Sequence, residues 1–286
     1  MAQMSVQPEC YPCLQRLIEQ TVELATADPQ LLAQARHQAQ EILDRQFLPG
    51  AIPALIANQF HQVIKELTGN PDPFADLKSS ETEVMRRLSG QIGKQWSNDL
   101  ASLLSLAVIG NGIDFFRSGN DVLQELKGPV QLLDSDLELF QARLARRGQM
   151  LYLADNAGEQ FFDLPLVRWL RQQGWQVTYV VKGEPIQNDL SRKDLLASGL
   201  APDLEPVVDT GAPMVGLVLD DASPEFRRHY DTTDLILAKG MGHFETMAHL
   251  DDPRVFFLLQ AKCQPIAQAL GLPRLSFVFK ALSSLG

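Results

Sequence analysis

In the first third of the chain, hydrophobic positions recur every three or four residues. Leu14, Leu17, Ile18 and Val22 fall on one helical face, as do Ile56, Phe60, Val63, Ile64 and Leu67. The second stretch runs into TGNPDPF (68–74), where a glycine and two prolines stop a helix. No alternating strand pattern interrupts this part. It predicts a helical domain over residues 1–125.

From residue 126 onward the period changes. Short apolar runs, often β-branched, alternate with helical segments: MLYLA (150–154), QVTYVV (176–181), EPVV (205–208), DLILA (234–238) and LSFVF (275–279). Between the first two lies FFDLPLVRWLRQQG, with an apolar helical face and Gly174 placed as its C-terminal stop. Alternating strands and helices predict a mostly parallel sheet with helices on both faces, an α/β domain over residues 126–286.

Composition narrows the function. At 286 residues, 45% hydrophobic and 21% charged, the chain has the make-up of a globular protein of one or two domains. Its net charge is -10 and no run of lysine or arginine forms a phosphate-tracking stripe, which argues against a nucleic-acid partner. A small phosphate remains compatible if a metal ion or a few local lysines supply positive charge. The opening MAQMSVQPECYPCLQR lacks a signal-peptide layout, and LASLLSLAVIG (100–110) is too short to span a bilayer. Three cysteines are too few for a disulfide framework. A cytoplasmic protein with no membrane partner is expected; its oligomeric state is not legible.

Ligands bind outside the carboxyl ends of the strands in an open α/β sheet. The segments that follow the first four predicted strands are DNAGE, KGEPIQND, DTG and KGMGHFE. Asp155, Asn156 and Asp189 offer hard oxygen donors suited to Mg²⁺, Mn²⁺ or a similar ion. Lys182 and Lys239 can reach phosphate oxygens, glycines such as Gly211 admit close backbone approach, and a helix starting near Glu159 would aim its positive end at the same place. Any one of these loops, taken alone, reads as an Asx turn or a helix cap. Four together describe a site for phosphate-ester hydrolysis.

LADNAGE, VVKGEPIQND and LILAKGMGHFE resemble the signature motifs of the DUF89 family, which includes the damage-control phosphatases. The resemblance extends to IGNGIDFF (109–116), VLDDASPEFRRHYDTTD (218–234), LLQAKCQPIAQALG (258–271) and the N-terminal PECYPC, so it covers most of the chain. The Cys10/Cys13 pair points to the prokaryotic subfamily. The resemblance implies a helical domain joined to a Rossmann-like domain, with metal-dependent phosphatase activity on a small phosphorylated metabolite. It implies Asp155, Asn156 and Asp189 as catalytic metal ligands for Mg, Mn, Co or Ni. Lys239 would hold the phosphate with Lys182, and Asn111 and Asp114 would close the pocket; Gly211 and Glu245 complete the substrate-binding candidates. His243 stands where the family commonly has asparagine.

Other signals compete. LLDSDLELF (132–140) superficially resembles the nucleophile motif of haloacid-dehalogenase phosphatases, but its continuation is helical and Asp134 reads as an N-cap. Cys10 and Cys13 have the spacing of half a zinc or redox site; packing is equally compatible. Cys263 reads as a small buried hydrophobe. A carboxyl methyltransferase using S-adenosylmethionine is the alternative enzyme, disfavoured because DNAGE carries a single glycine. A non-catalytic metal or metabolite binder is the third reading.

Overall fold

The computed structural model describes residues 4–92, 96–112 and 130–285, and Asp114 lies outside them. Helices α1 (Cys10–Ala25), α2 (Pro29–Gln46) and α3 (Pro53–Thr68) pack through Leu14, Ile18, Val22, Ala35, Ala39, Phe60 and Ile64. Alanines on α2 let the three backbones approach closely. Asp28 fixes the start of α2 by accepting from the amides of Gln30 and Leu31 at 2.8 and 3.2 Å, with Pro29 in the first turn. Helix α4 (Ala75–Ile92) follows.

Helix α5 (Leu100–Gly112) is apolar all round because it is covered on both sides. Leu103, Leu104, Ala107 and Val108 join the core of the sheet, while Leu106 and Ile109 meet Met85 and Leu88 of α4. This helix of the predicted helical stretch therefore lies on the α/β layer.

The sheet has seven strands in the order β1-β7-β6-β5-β2-β3-β4. They are β1 (Leu132–Leu133), β2 (Gln149–Leu153), β3 (Gln176–Val181), β4 (Val207–Asp209), β5 (Leu235–Lys239), β6 (Val255–Gln260) and β7 (Phe277–Ala281). Every pairing is parallel except β6 with β7. Alternation along β2 divides the core: Met150 and Tyr152 face one layer, Leu151 and Leu153 the other. Helices α6 (Leu137–Leu144) and α7 (Gln160–Gln172) cover the first face. Helices α10 (Pro224–Thr232), α11 (Gly240–Met247) and α12 (Gln264–Leu270) cover the second. Two short helices, α8 (Arg192–Ser198) and α9 (Ala201–Leu204), link β3 to β4. Gly174, with φ +93°, follows α7 as expected.

Two expectations need correction. Strand β6 was not predicted: VFFLLQ is buried on both faces, so it carries no period of two to separate it from a buried helix. Asp134 does not cap α6. It occupies a turn at φ +44° and pairs with Lys280 at 2.6 Å, while Asp136 stands at the N-cap position and accepts from the Ala281 amide at 2.8 Å.

Candidate active site

From β2 the chain goes to β3 and β4 on one side, then returns to β5 on the other. The switch point is therefore the crevice between the carboxyl ends of β2 and β5. Asp155 follows β2 there, and Gly240 opens α11 just past β5. Gly240 has φ +81°, and a Cβ on it would overlap the Asp155 carboxylate. Only glycine lets the start of α11 lie against that acid.

The turns after β2 and β3 are zipped by backbone bonds. Leu190 donates to the Asp155 carbonyl at 2.8 Å, Ala157 donates to Asn188 at 2.8 Å, and Asn156 and Asp189 form an antiparallel bridge. Asp155, Asn156 and Asp189 are thus held side by side by main chain. All three line a cleft of about 730 Å³ that also receives Asn111 and Glu245. The helical layer roofs this edge: the Ala54 amide at the start of α3 donates to Glu245 at 3.0 Å, Asn58 accepts from Val215 at 2.8 Å, and Lys65 donates to the Pro185 carbonyl at 2.9 Å.

One carboxylate missed at the sequence level organises the group. Glu159, at the N-cap position of α7, turns its side chain into the site. Its Oε1 accepts from Asn111 at 3.0 Å and from Asn156 at 2.7 Å, and both amides also donate to Asp155 Oδ2, at 2.7 and 3.1 Å. A GE pair opening a helix reads as a cap; only tertiary proximity reveals the role.

The lysines differ from expectation. Lys239 does not enter the cleft: its fully buried ammonium donates to Glu159 Oε2 and Asp163 Oδ1, both at 2.6 Å. Burial pulls its pKa down, but the two carboxylates overcome this and hold it raised. Asp163 also receives the hydroxyls of Tyr152 and Tyr179 at 2.7 Å each. Lys182 is buried as well, donating to the Gly216 carbonyl at 2.6 Å with Asp189 Oδ2 at 3.4 Å. Gly211 sits in the turn after β4 against Gly183 and Ser223, outside the cleft lining. His243 lies behind the site, Nδ1 at 2.6 Å from the Lys239 carbonyl and Nε2 at 3.4 Å from Lys182. Burial, and then Lys182, hold its pKa far below the usual value, so it is neutral.

A different cation faces the cleft. Lys262, just past β6, lines it, and its charge lowers the pKa of Asp155. Among the described residues its ammonium has no hydrogen-bond or ion-pair partner. It follows the strand that sequence patterning missed.

The residues suit a hard divalent ion. Among the described residues Asp189 Oδ2 is buried with no hydrogen bond, only the longer ion pair to Lys182 at 3.4 Å, and Asn156 spends its amide hydrogens on carboxylates, leaving its side-chain oxygen Oδ1 without a hydrogen bond. Burial, and then Glu159 and Asp189, push the Asp155 pKa well up; burial raises Asp189 to about 6 against the pull of Lys182. Acids crowded this way accommodate a cation that keeps several waters. Among the described residues no three His, Cys, Asp or Glu side chains are arranged to hold a metal; the polar groups that meet at this edge of the cleft are two carboxylates and one amide.

Fold and site together define an α/β protein with an acidic, amide-lined cleft at its topological switch point. The chain belongs to the family described as the damage-control phosphatase ARMT1-like domain, whose model matches residues 6–276. It is 34% identical to a damage-control phosphatase of Pyrococcus horikoshii, over 95% of this chain and 96% of that protein. It is 29% identical to a damage-control phosphatase of Archaeoglobus fulgidus, over 94% and 96%. The crystal structure of a DUF89 family protein from Pyrococcus horikoshii superposes with a TM-score of 0.88 at 34% identity, covering 98% of this chain and 99% of that one.

Proposed function

We propose that this cleft is the active site of a metal-dependent phosphatase acting on small phosphate monoesters. The observation that carries the reading is the convergence of Asp155, Asn156 and Asp189 at the switch point, opposite the uncommitted cation Lys262. The names of the relatives support the reaction class.

Asp155, Asn156 and Asp189 would hold a divalent ion, whose chemistry when bound is Lewis-acid polarisation of a phosphoryl oxygen. The remaining work falls to the chain. Lys262 neutralises phosphoryl charge, assisted by the N-terminal amides of α11, whose Met241 and Gly242 line the cleft. Asn111 and Asn156 clamp Asp155 in one rotamer by donating to its Oδ2. Lys239 acts through Glu159, holding the carboxylate that orients both amides. The helical roof screens the reacting centre from bulk water. The methyltransferase is not favoured, since the β2–α7 turn contains a single glycine and its acids crowd where an adenosine would need room.

The test is phosphate release from a panel of small phosphate esters, with Mg²⁺, Mn²⁺, Co²⁺ or Ni²⁺ or with chelator. Metal-dependent release is expected, with Asp155→Ala losing on the order of 10³-fold or more in kcat, the loss typical of one strong transition-state contact. Full activity in that variant would overturn the assignment.

A further inference from the structure

The phosphatase reading leaves one group of cleft side chains unused. All three cysteines line the cleft: Cys10 and Cys13 from the first turn of α1, and Cys263 from the start of α12. They come from separate layers of the fold, so only the tertiary structure brings them together. Cys10 is buried, Cys13 exposed and Cys263 half-buried. Burial pushes the Cys263 thiol up to about 11, and negative charge at Glu245, Cys10 and Cys13 pushes the same way. Burial also raises Cys10, opposed by the Gln7 amide that donates to its Sγ at 3.4 Å. The three sulfurs and Glu245 therefore occupy one neighbourhood.

Two uses of such a group are chemically distinct. A thiolate-bound metal would need at least three ligands arranged around it, and among the described residues no such group is formed. A dithiol needs only two. Cys10 and Cys13 lie three positions apart on one helix, where ideal geometry separates Cα atoms by about 5 Å. A disulfide spans Cα atoms about 4.4–6.8 Å apart. One thiol is accessible and its neighbour is buried, the arrangement of an attacking and a resolving cysteine.

We propose that Cys10 and Cys13 are a reversible redox modification site, closed by small disulfides such as oxidised glutathione, which reshapes the cleft wall beside Glu245. The exposed Cys13 loses its proton to water and attacks the small disulfide, breaking its S–S bond and forming a mixed disulfide. The leaving thiolate takes up a proton. Cys10, deprotonated in turn, attacks the Cys13 sulfur and expels the second thiolate, which is also protonated. Both electrons removed from the protein dithiol reside in the two released thiols. The effect on turnover rests on the phosphatase reading of the cleft; bond formation does not.

The test incubates the full chain with oxidised glutathione, blocks free thiols with N-ethylmaleimide and maps peptides by mass spectrometry. The expected product is an N-terminal peptide lighter by two hydrogens, unalkylated at Cys10 and Cys13, with Cys263 alkylated. Dithiothreitol should reverse it, and Cys13→Ser should prevent it. Alkylation of all three thiols after oxidant, a stable glutathione adduct on Cys13, or a Cys13–Cys263 link would each overturn the proposal. With a small phosphate ester as substrate, oxidation should raise KM several-fold with kcat little changed, and Cys13→Ser should be insensitive. An unchanged KM in the fully oxidised protein would refute the effect on the cleft. A disulfide formed in a protein that releases no phosphate with any metal would refute the phosphatase reading and leave the modification site standing.

Discussion

Two regions of this molecule each bury a lysine between two carboxylates, and they serve different ends. At the cleft, Lys239 pairs with Glu159 and Asp163, both at 2.6 Å. At the seam of α4 and α8, Lys78 pairs with Asp194 at 2.7 Å and Asp72 at 3.1 Å. Both ammonium groups are out of solvent. The difference lies in what the remaining carboxylate oxygens and neighbours hold. Asp194 closes a capping box with Ser191 at the start of α8, so its bonds end in local secondary structure. Glu159 instead holds Asn111 and Asn156, which hold Asp155, so the bonds of Lys239 run on into the cleft. A buried lysine with two acids is thus a fastening in one place and a support of the cleft's side chains in the other.

Two substitutions press on that contrast. Lys239→Met should produce the largest change, about 3–5 kcal/mol of stability in urea unfolding because two carboxylates are left buried without a cation. Phosphate release by its folded fraction should also fall to near the Asp155→Ala level; wild-type release would show that Glu159 holds its amides unaided. Lys78→Met should cost stability on the same scale, about 3–5 kcal/mol, with kcat and KM of the folded protein within about twofold of wild type. A Lys78→Met enzyme that is folded but inactive would erase the distinction.

Over the range from pH 7 to 5, a buried titratable group with no counter-charge supplies the smallest effect. His61 lies in the helical core between Phe60 and Phe74, its Nε2 without a hydrogen bond. Burial, and then Lys65, lower its pKa to about 3. The unfolded chain, with a histidine near 6.5, binds the proton that the fold excludes. Stability from His61 is therefore complete above about pH 6.5 and is lost as pH falls toward 3, at about 1.4 kcal/mol per pH unit. Between pH 6 and 5 the wild type should lose stability relative to His61→Leu at this slope, because the raised Asp155 and Asp189 carboxyls, which favour the fold as pH falls, act equally in both proteins. A stability difference that does not change with pH would show that His61 takes up no proton on unfolding.

Much of the site was legible because strand ends carry it. Asp155-Asn156 and Asp189 follow β2 and β3, and a parallel sheet brings such positions to one edge. The lysines were misjudged because a formal charge at a strand end says nothing about depth. Lys239 and Lys182 are buried under the turns, while Lys262 follows β6, whose doubly covered apolar run carries no strand period. Glu159 looked like the start of a helix and is one, yet its carboxylate is spent on the amide of Asn111 from α5 and on that of Asn156 in the turn just before it. Gly211 was read as a phosphate contact, but its positive φ and the crowding of Ser223 make it a packing glycine.

By itself the sequence determined the helical character of the first part with helices α1 and α3, five of the seven described strands and the oxygen donors at their ends. Hydrophobic period and strand-end position are local properties, and local properties survive without a fold. The tertiary structure decided which cations are committed to buried carboxylates, that Lys262 lines the cleft along with Arg16 and Arg274, and that the cysteines of α1 and α12 share its wall. Those outcomes depend on burial and on the convergence of residues up to some 250 positions apart in the chain, as Cys10 and Cys263 converge on the cleft. Burial and long-range contact are what folding adds.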